Sequence, residues 1–148
     1  MEKTNELNKF LSYIHMGMSV YRVYHEHAEK MDDEQLLNEI VKVEEIFKKH
    51  EESITKEINE LGEDATESLT LAGIMGVYKE KMMIVDNAFS ICLNAIKATN
   101  MGMLSALKFL EDNNKLEPRI RKLIVNVIND YERIQGIWVN YILENICK

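Results

Sequence analysis

His50 occupies the kind of position from which a helical protein could bind a metal ion or transfer a proton. It follows Phe47 and precedes Ile54 at three- and four-residue steps, which places all three side chains on one face of a helix. Two interpretations of His50 remain open. It is either a buried, neutral histidine hydrogen-bonded to Tyr131 or Thr99, or the remaining ligand of a mononuclear metal site, with His15 as a weaker second candidate.

The rest of the chain offers little for catalysis. Cys92 and Ser90 have no histidine at helical spacing, and the sequence contains no Gly-x-Ser-x-Gly motif, phosphate-binding loop or dinucleotide fingerprint. The two Met-Gly-Met motifs, at 16–18 and 101–103, cannot chelate a soft metal, because Met-x-Met side chains diverge by about 200° on a helix. Methionines of this kind usually fill a core. We therefore expect no cofactor and favour a non-enzymatic role.

Composition narrows the class of protein and of partner. The 148 residues carry a net charge of −7, which disfavours binding to nucleic-acid phosphates or to anionic lipid. The first ten residues lack the apolar stretch of a secretory signal, and no apolar run approaches the ~20 residues of a membrane span. Two cysteines do not form a disulfide framework. These features predict a soluble, cytoplasmic protein.

Hydrophobic periodicity predicts four long helices, at about 5–31, 33–61, 87–112 and 118–146, in a single all-α domain. The first two helices and the last two are joined by tight connections, so each pair should form an antiparallel hairpin. The segment at about 63–85 is long enough to return along the bundle. Its apolar residues should make it partly helical and pack it on the bundle; they are Leu69, Leu71, Ile74, Met75, Val77 and Met82.

Several stretches carry a family resemblance: LNKFLSYIHMGMSVYR, KEINELGE, SLTLAG and ICLNAIKATNMGM. In their order and spacing they resemble the rubrerythrin-like branch of ferritin-like proteins. They are most similar to a bacterial ferritin-like family of unknown function. The resemblance implies a ferritin-like four-helix bundle with a long second connection. The two Met-Gly-Met motifs also correspond in the first and third helices, as a duplicated helical hairpin would require.

The resemblance also implies where a di-metal centre would lie. Di-metal members place a carboxylate on each of two helices and Glu-x-x-His on each of the other two. Distances from the two tight turns put the corresponding layer at Ile14, Phe47, His50, Thr99, Ile128 and Tyr131. Only His50 is a ligand of the expected type, and a shift of register that admitted His15 or Asp130 would not restore the pairs. We predict that this degenerate layer has lost the metal site.

The first predicted helix carries a second apolar stripe opposite its core stripe, formed by Tyr13, Met16, Val20, Val23 and Tyr24. A helix with two apolar faces must cover both. The stripe is therefore either a surface for a homodimer or a protein partner, or core beneath the 63–85 segment.

Three functional hypotheses follow. The first is a bundle without its di-metal site that acts through self-association or partner binding. The second is a metal-dependent redox or storage protein with an atypical site near His50. The third is a small-ligand carrier that uses the bundle interior.

Overall fold

Four helices make up the part of the chain that the structure describes. The structure is a computed structural model that describes residues 2–65 and 87–148, with side chains from residue 6 onward. Helix α1 spans Glu2–Lys30, α2 spans Glu34–Glu60, α3 spans Ala88–Asp112 and α4 spans Pro118–Asn145. The predicted all-α four-helix bundle is confirmed. The predicted packing of the 63–85 segment falls almost wholly outside the described residues.

The helix starts follow from local chemistry. Asp33 caps α2 by accepting the backbone N–H of Leu36 at 3.0 Å, and its other carboxylate oxygen accepts the hydroxyl of Tyr141 near the end of α4. Asn87 caps α3 through the N–H of Ser90 in the same way. Pro118 begins α4, where its missing N–H costs nothing.

Each helix packs against two neighbours. Helix α1 contacts α2 and α3, and α4 contacts the same two helices. Phe10 lies 5.5 Å from Phe109 between ring centroids, and Tyr21 bonds Thr99, so α1 and α3 run antiparallel. Because α1 is also antiparallel to α2, helices α2 and α3 run parallel. The end of α2 and the start of α3 therefore lie at opposite ends of the bundle, which is the ferritin-like topology and not the simple up-and-down one.

Three of the five residues of the second stripe on α1 are buried, which contradicts an interface at those positions. Val20, Val23 and Tyr24 are at most 5% exposed, and the ring of Tyr24 packs against that of Tyr21 at 5.3 Å. The alternative that the stripe is core beneath the 63–85 segment concerns residues outside the described ranges. Only Tyr13, at 41% exposure, and the partly buried Met16 remain accessible.

An exposed apolar face lies on α3 instead. Five apolar side chains along this helix, on one side of it and interrupted by Lys97, leave 40–59% of their surface exposed. They form what we call the α3 face: Phe89, Leu93, Met101, Leu104 and Leu107. Val139 and Leu143 of α4 are also exposed. No helix within the described ranges is both long and apolar enough to cross a membrane.

Candidate functional site

At the level of His50 the bundle centre is filled by aromatic rings. The ring centroid of Phe47 lies 6.2 Å from that of His50 and 6.0 Å from that of Tyr131, and His50 and Tyr131 are 5.8 Å apart. The ring of Tyr21 meets Phe47 edge-on at 5.0 Å. Such tilted and edge-to-face pairs stabilise a core beyond the area that they bury. The centre of the bundle is therefore packed by rings from α1, α2 and α4.

A chain of hydrogen bonds crosses this layer through Tyr21, which the sequence analysis had not placed in it. The indole N–H of Trp138 donates to the Tyr21 hydroxyl oxygen at 2.9 Å, and that hydroxyl lies 2.7 Å from the Thr99 oxygen. Thr99 donates in turn to the backbone carbonyl of Ala95. Burial raises the pKa of Tyr21, so its hydroxyl stays protonated. The spacing of seven from Ile14 to Tyr21, and from Tyr131 to Trp138, was the signal that could have revealed this chain.

The hydrogen-bond partner of His50 is neither of the two expected residues. Its Nε2 lies 2.8 Å from the Asp130 carboxylate, while Thr99 bonds Tyr21. The expected bond to Tyr131 or Thr99 was therefore wrong, because Asp130 reaches the ring from the edge of α4. Burial lowers the pKa of His50, and the bond and charge of Asp130 oppose that shift only in part.

Neutral His50 suits these surroundings. With its Nε2–H donated to Asp130, the unprotonated Nδ1 is a buried atom without a hydrogen-bond partner among the described residues. Protonation would place an N–H there without an acceptor. Burial tends to raise the pKa of Asp130, but hydrogen bonds from His50 and from Arg133, at 2.6 Å, outweigh burial and lower it.

His15, the weaker metal candidate, lies in a separate pair. Its Nε2 is 2.8 Å from the Glu51 carboxylate. Across the two described ranges, no group of three or more His, Cys, Asp and Glu side chains is placed to hold a metal ion. Burial, with a smaller effect of Asp33, raises the pKa of the Cys92 thiol to about 12, so this cysteine is a poor nucleophile at neutral pH.

The six positions of the predicted layer are all buried, although they do not form one polar site. Phe47, His50 and Tyr131 contact one another, and Thr99 belongs to the Tyr21 chain. Ile14 and Ile128 are aliphatic members of the same core cluster.

A groove lies between α1 and α3 at this same height. It is a cavity of about 320 Å³ with Phe47, Tyr21 and Tyr131 among its lining residues, and the exposed side chains of Tyr13 and Met101 also border it. Gly17 and Gly102, the central residues of the two Met-Gly-Met motifs, both line it. Because two facing helix positions lack side chains, space remains between the helices above the aromatic cluster.

The two glycines differ in what a side chain would meet. A Cβ at Gly17 would lie 3.7 Å from the ring of Phe47, an ordinary contact that points toward the groove. A Cβ at Gly102 would lie 3.0 Å from the Tyr131 hydroxyl and ring, so Tyr131 would have to shift by a few tenths of an ångström to admit it. Gly102 therefore sets the position of Tyr131, and Gly17 keeps the groove open.

Comparison with known proteins supports the fold. The structure is similar to that of a mutant of Dps1 from Mycobacterium smegmatis, with a TM-score of 0.66 over 95% of this chain and 97% of that chain. Sequence identity between the two is 13%, so the likeness establishes a ferritin-like four-helix bundle and nothing finer. No protein-family model matches the chain, and no curated protein matches it either.

The burial of His50 should make stability depend on pH. Because the folded pKa lies below the ordinary value of 6.5, the unfolded chain binds the proton more readily. The free energy of unfolding should therefore fall as pH drops from about 7.5 through 6.5 toward the folded pKa, by at most ~1.4 kcal/mol per pH unit. Urea unfolding of the wild type and of His50→Gln measures this component, which the variant should lack.

The matched control for the pH experiment is His27→Gln, which alters a partly exposed histidine on α1. This variant should keep the full pH dependence of the wild type. An unchanged slope in His50→Gln would show that other groups cause it.

Proposed function

We propose that this protein is a ferritin-like bundle that has lost the di-metal centre, and that it acts by binding a second copy of itself. The proposal that the di-metal centre is lost rests on the residues at the level of His50. Rings and aliphatic side chains stand where a di-metal site requires carboxylates, and one His50–Asp130 pair supplies two donors of suitable type. Hard divalent ions need a larger set of oxygen and imidazole ligands than that pair provides.

Loss of the centre would remove the redox and storage chemistry that depends on it. Among residues 6–65 and 87–148, the redox or storage alternative near His50 receives no further ligand from His15, which is paired with Glu51. The net charge of −7 supports a cytoplasmic protein without nucleic-acid or membrane partners. Membership of the rubrerythrin-like branch remains a prediction.

Metal analysis tests the first half of the proposal. Protein incubated with excess Fe²⁺ or Mn²⁺ without oxygen and then desalted should retain far less than one ion per chain, because two donors cannot complete either coordination sphere. Elemental analysis by mass spectrometry measures the ratio. Retention of about two ions per chain that disappeared in His50→Gln would contradict the proposal.

The second half is supported by the α3 face. Large apolar patches on monomeric proteins rarely exceed a few hundred Å² and often mark binding sites. The described part of α3 carries two cations and two anions, Lys97, Lys108, Glu111 and Asp112. Exposed Lys97 lies between Leu93 and Met101 on this face, so its charge is the one that opposes pairing most directly. The surface of the bundle most suited to an apolar partner therefore lies on α3 and not on α1.

The spacing of the α3 face suits an antiparallel pairing with its own copy. If a two-fold axis crosses α3 near Ala98, Phe89 faces Leu107 of the other copy and Leu93 faces Leu104. Such an isologous contact uses one patch twice. A standard interface buries about 800 Å² per partner, more than one row of side chains provides. Val139 and Leu143 of α4 would supply part of the remaining area. Gln135, one turn before Val139, donates to the Ile96 carbonyl, and α4 runs from there toward the start of α3, so both residues lie beside the first half of α3.

Sedimentation equilibrium tests the self-association. The protein should be a dimer at tens of micromolar. The dimer should become tighter as salt is raised, because each copy carries a charge of −7 and the two Lys97 side chains would lie near the axis. A monomer at every salt concentration would contradict the second half and leave the metal result unaffected.

A further inference from the structure

We propose that the groove between α1 and α3 binds an uncharged aromatic carbonyl compound, whose ring lies against Phe47 and whose oxygen accepts a hydrogen bond from Tyr131. This site adjoins the α3 face, since Met101 borders both, but its polar group and its aromatic wall come from α4 and α2. It would make the bundle a small-molecule binding protein in addition to a self-associating one.

The size and lining of the groove fit a small ligand. Its volume of about 320 Å³ lies at the lower end of the ~300–1,000 Å³ of typical ligand pockets. Ile14, Met16 and Val20 give it apolar walls on α1, and Ala98 and Gly102 line it on α3. Together with Phe47 and Tyr21, they favour a flat, mainly apolar molecule.

Tyr131 brings a hydroxyl to the groove from α4. Its side chain is only 3% exposed, and it lines the groove. The buried hydroxyl of Tyr21 bonds Thr99, and that of Tyr141 bonds Asp33. No residue of 6–65 or 87–148 makes a corresponding bond with the Tyr131 hydroxyl. The hydroxyl borders the groove, so its bond is free for an acceptor on a molecule that fills the groove, and a ligand without an acceptor would leave this donor unpaired at a cost.

The acceptor should belong to an uncharged group. Burial raises the pKa of Tyr131, so its hydroxyl is a neutral donor. A single neutral donor would not offset the desolvation of a carboxylate among these apolar walls. A ketone oxygen needs only one donor and loses little hydration. Asn94 and Lys97, which also line the groove, can contact a second polar group of the ligand.

A fluorescent naphthyl ketone, propionyl-dimethylaminonaphthalene, is a direct probe because its emission reports both the polarity around it and hydrogen bonding to its carbonyl. Titration of the wild type should give saturable binding of one probe per chain. Dimethylaminonaphthalene, which lacks the carbonyl, is the matched reference ligand. Tyr131→Phe should weaken binding of the ketone about fivefold to tenfold, as the loss of one neutral hydrogen bond predicts, and leave binding of the reference unchanged.

Two further variants test the location of the site. Gly17→Leu should abolish binding of both probes, because the new side chain points into the groove and has an ordinary contact at its first carbon. Ala98→Leu fills the groove from the α3 side and serves if the first variant does not fold. Gly17 lies on α1, away from the proposed two-fold axis, so the sedimentation of Gly17→Leu should match that of the wild type.

The contrary results are equally specific. Absence of saturable binding to the wild type would overturn the proposal. Equal loss of both probes in a folded Tyr131→Phe, or no loss of either, would overturn the assigned hydrogen bond. Undiminished binding in folded Gly17→Leu would place the probe elsewhere on the protein.

Discussion

Replacing Leu93 and Leu104 together by glutamate is expected to yield a folded monomer. In the proposed dimer these two positions face each other across the two-fold axis, so four carboxylates would meet in an apolar contact. Burying charge without partners costs several kcal/mol, and the like charges repel. We expect at least a hundredfold weaker association, equivalent to about 2.7 kcal/mol, in sedimentation equilibrium.

The fold should survive this change, since both leucines are about half exposed. The control is Lys48→Gln with Lys49→Gln, which alters the net charge by the same amount on the exposed side of α2. That control should remain dimeric. A Leu93→Glu, Leu104→Glu protein that sedimented like the wild type would place the interface elsewhere or remove it.

Trp138→Ala should be the most destabilising single change in the bundle. Trp138 is fully buried, its ring packs 6.1 Å from that of Tyr21, and its N–H is a donor to the Tyr21 hydroxyl. Truncation of a buried Trp removes apolar burial and leaves a cavity, at a cost of about 3–5 kcal/mol. Urea unfolding at pH 7.5 measures the loss.

Two companion variants show which part of Trp138 matters. Trp138→Phe keeps much of the volume but removes the donor, so its cost should be smaller, about 1–3 kcal/mol. Asn140→Ala changes an exposed residue on the same helix and should alter stability by less than ~0.5 kcal/mol. If Trp138→Ala were as stable as Asn140→Ala, the packing of Trp138 against Tyr21 would contribute little to the free energy of unfolding.

The helices and their order were predictable because the pattern of apolar residues in a long helix repeats every three or four positions. Gly62 and Pro118 mark an end and a start that the sequence shows directly, and α4 begins at Pro118 as predicted. The ferritin-like topology also followed, because the length of the second connection is visible in the sequence. Helix bounds and connection lengths are set by residues close together in the chain, so the sequence reveals them.

The surfaces were harder to predict, because periodicity does not reveal how many helices flank a given one. The stripe with Val20 and Tyr24 was compatible with an interface or with core, and both residues are buried. Leu93 and Leu104 were not predicted to be surface residues, and both are exposed. The partner of His50 was missed for a related reason. Asp130 and Tyr131 are adjacent in sequence, and only the rotation of α4 decides which one reaches the imidazole.

One carboxylate, that of Asp33, joins two helices at the same end of the bundle. One of its oxygens accepts the backbone N–H of Leu36 in the first turn of α2, and the other accepts the hydroxyl of Tyr141 close to the end of α4. We therefore expect the first turn of α2 and the final turns of α4 to open together, although more than a hundred residues separate them in the chain. Fraying of the end of α4 would free Asp33 from Tyr141 and so loosen the turn between the first two helices.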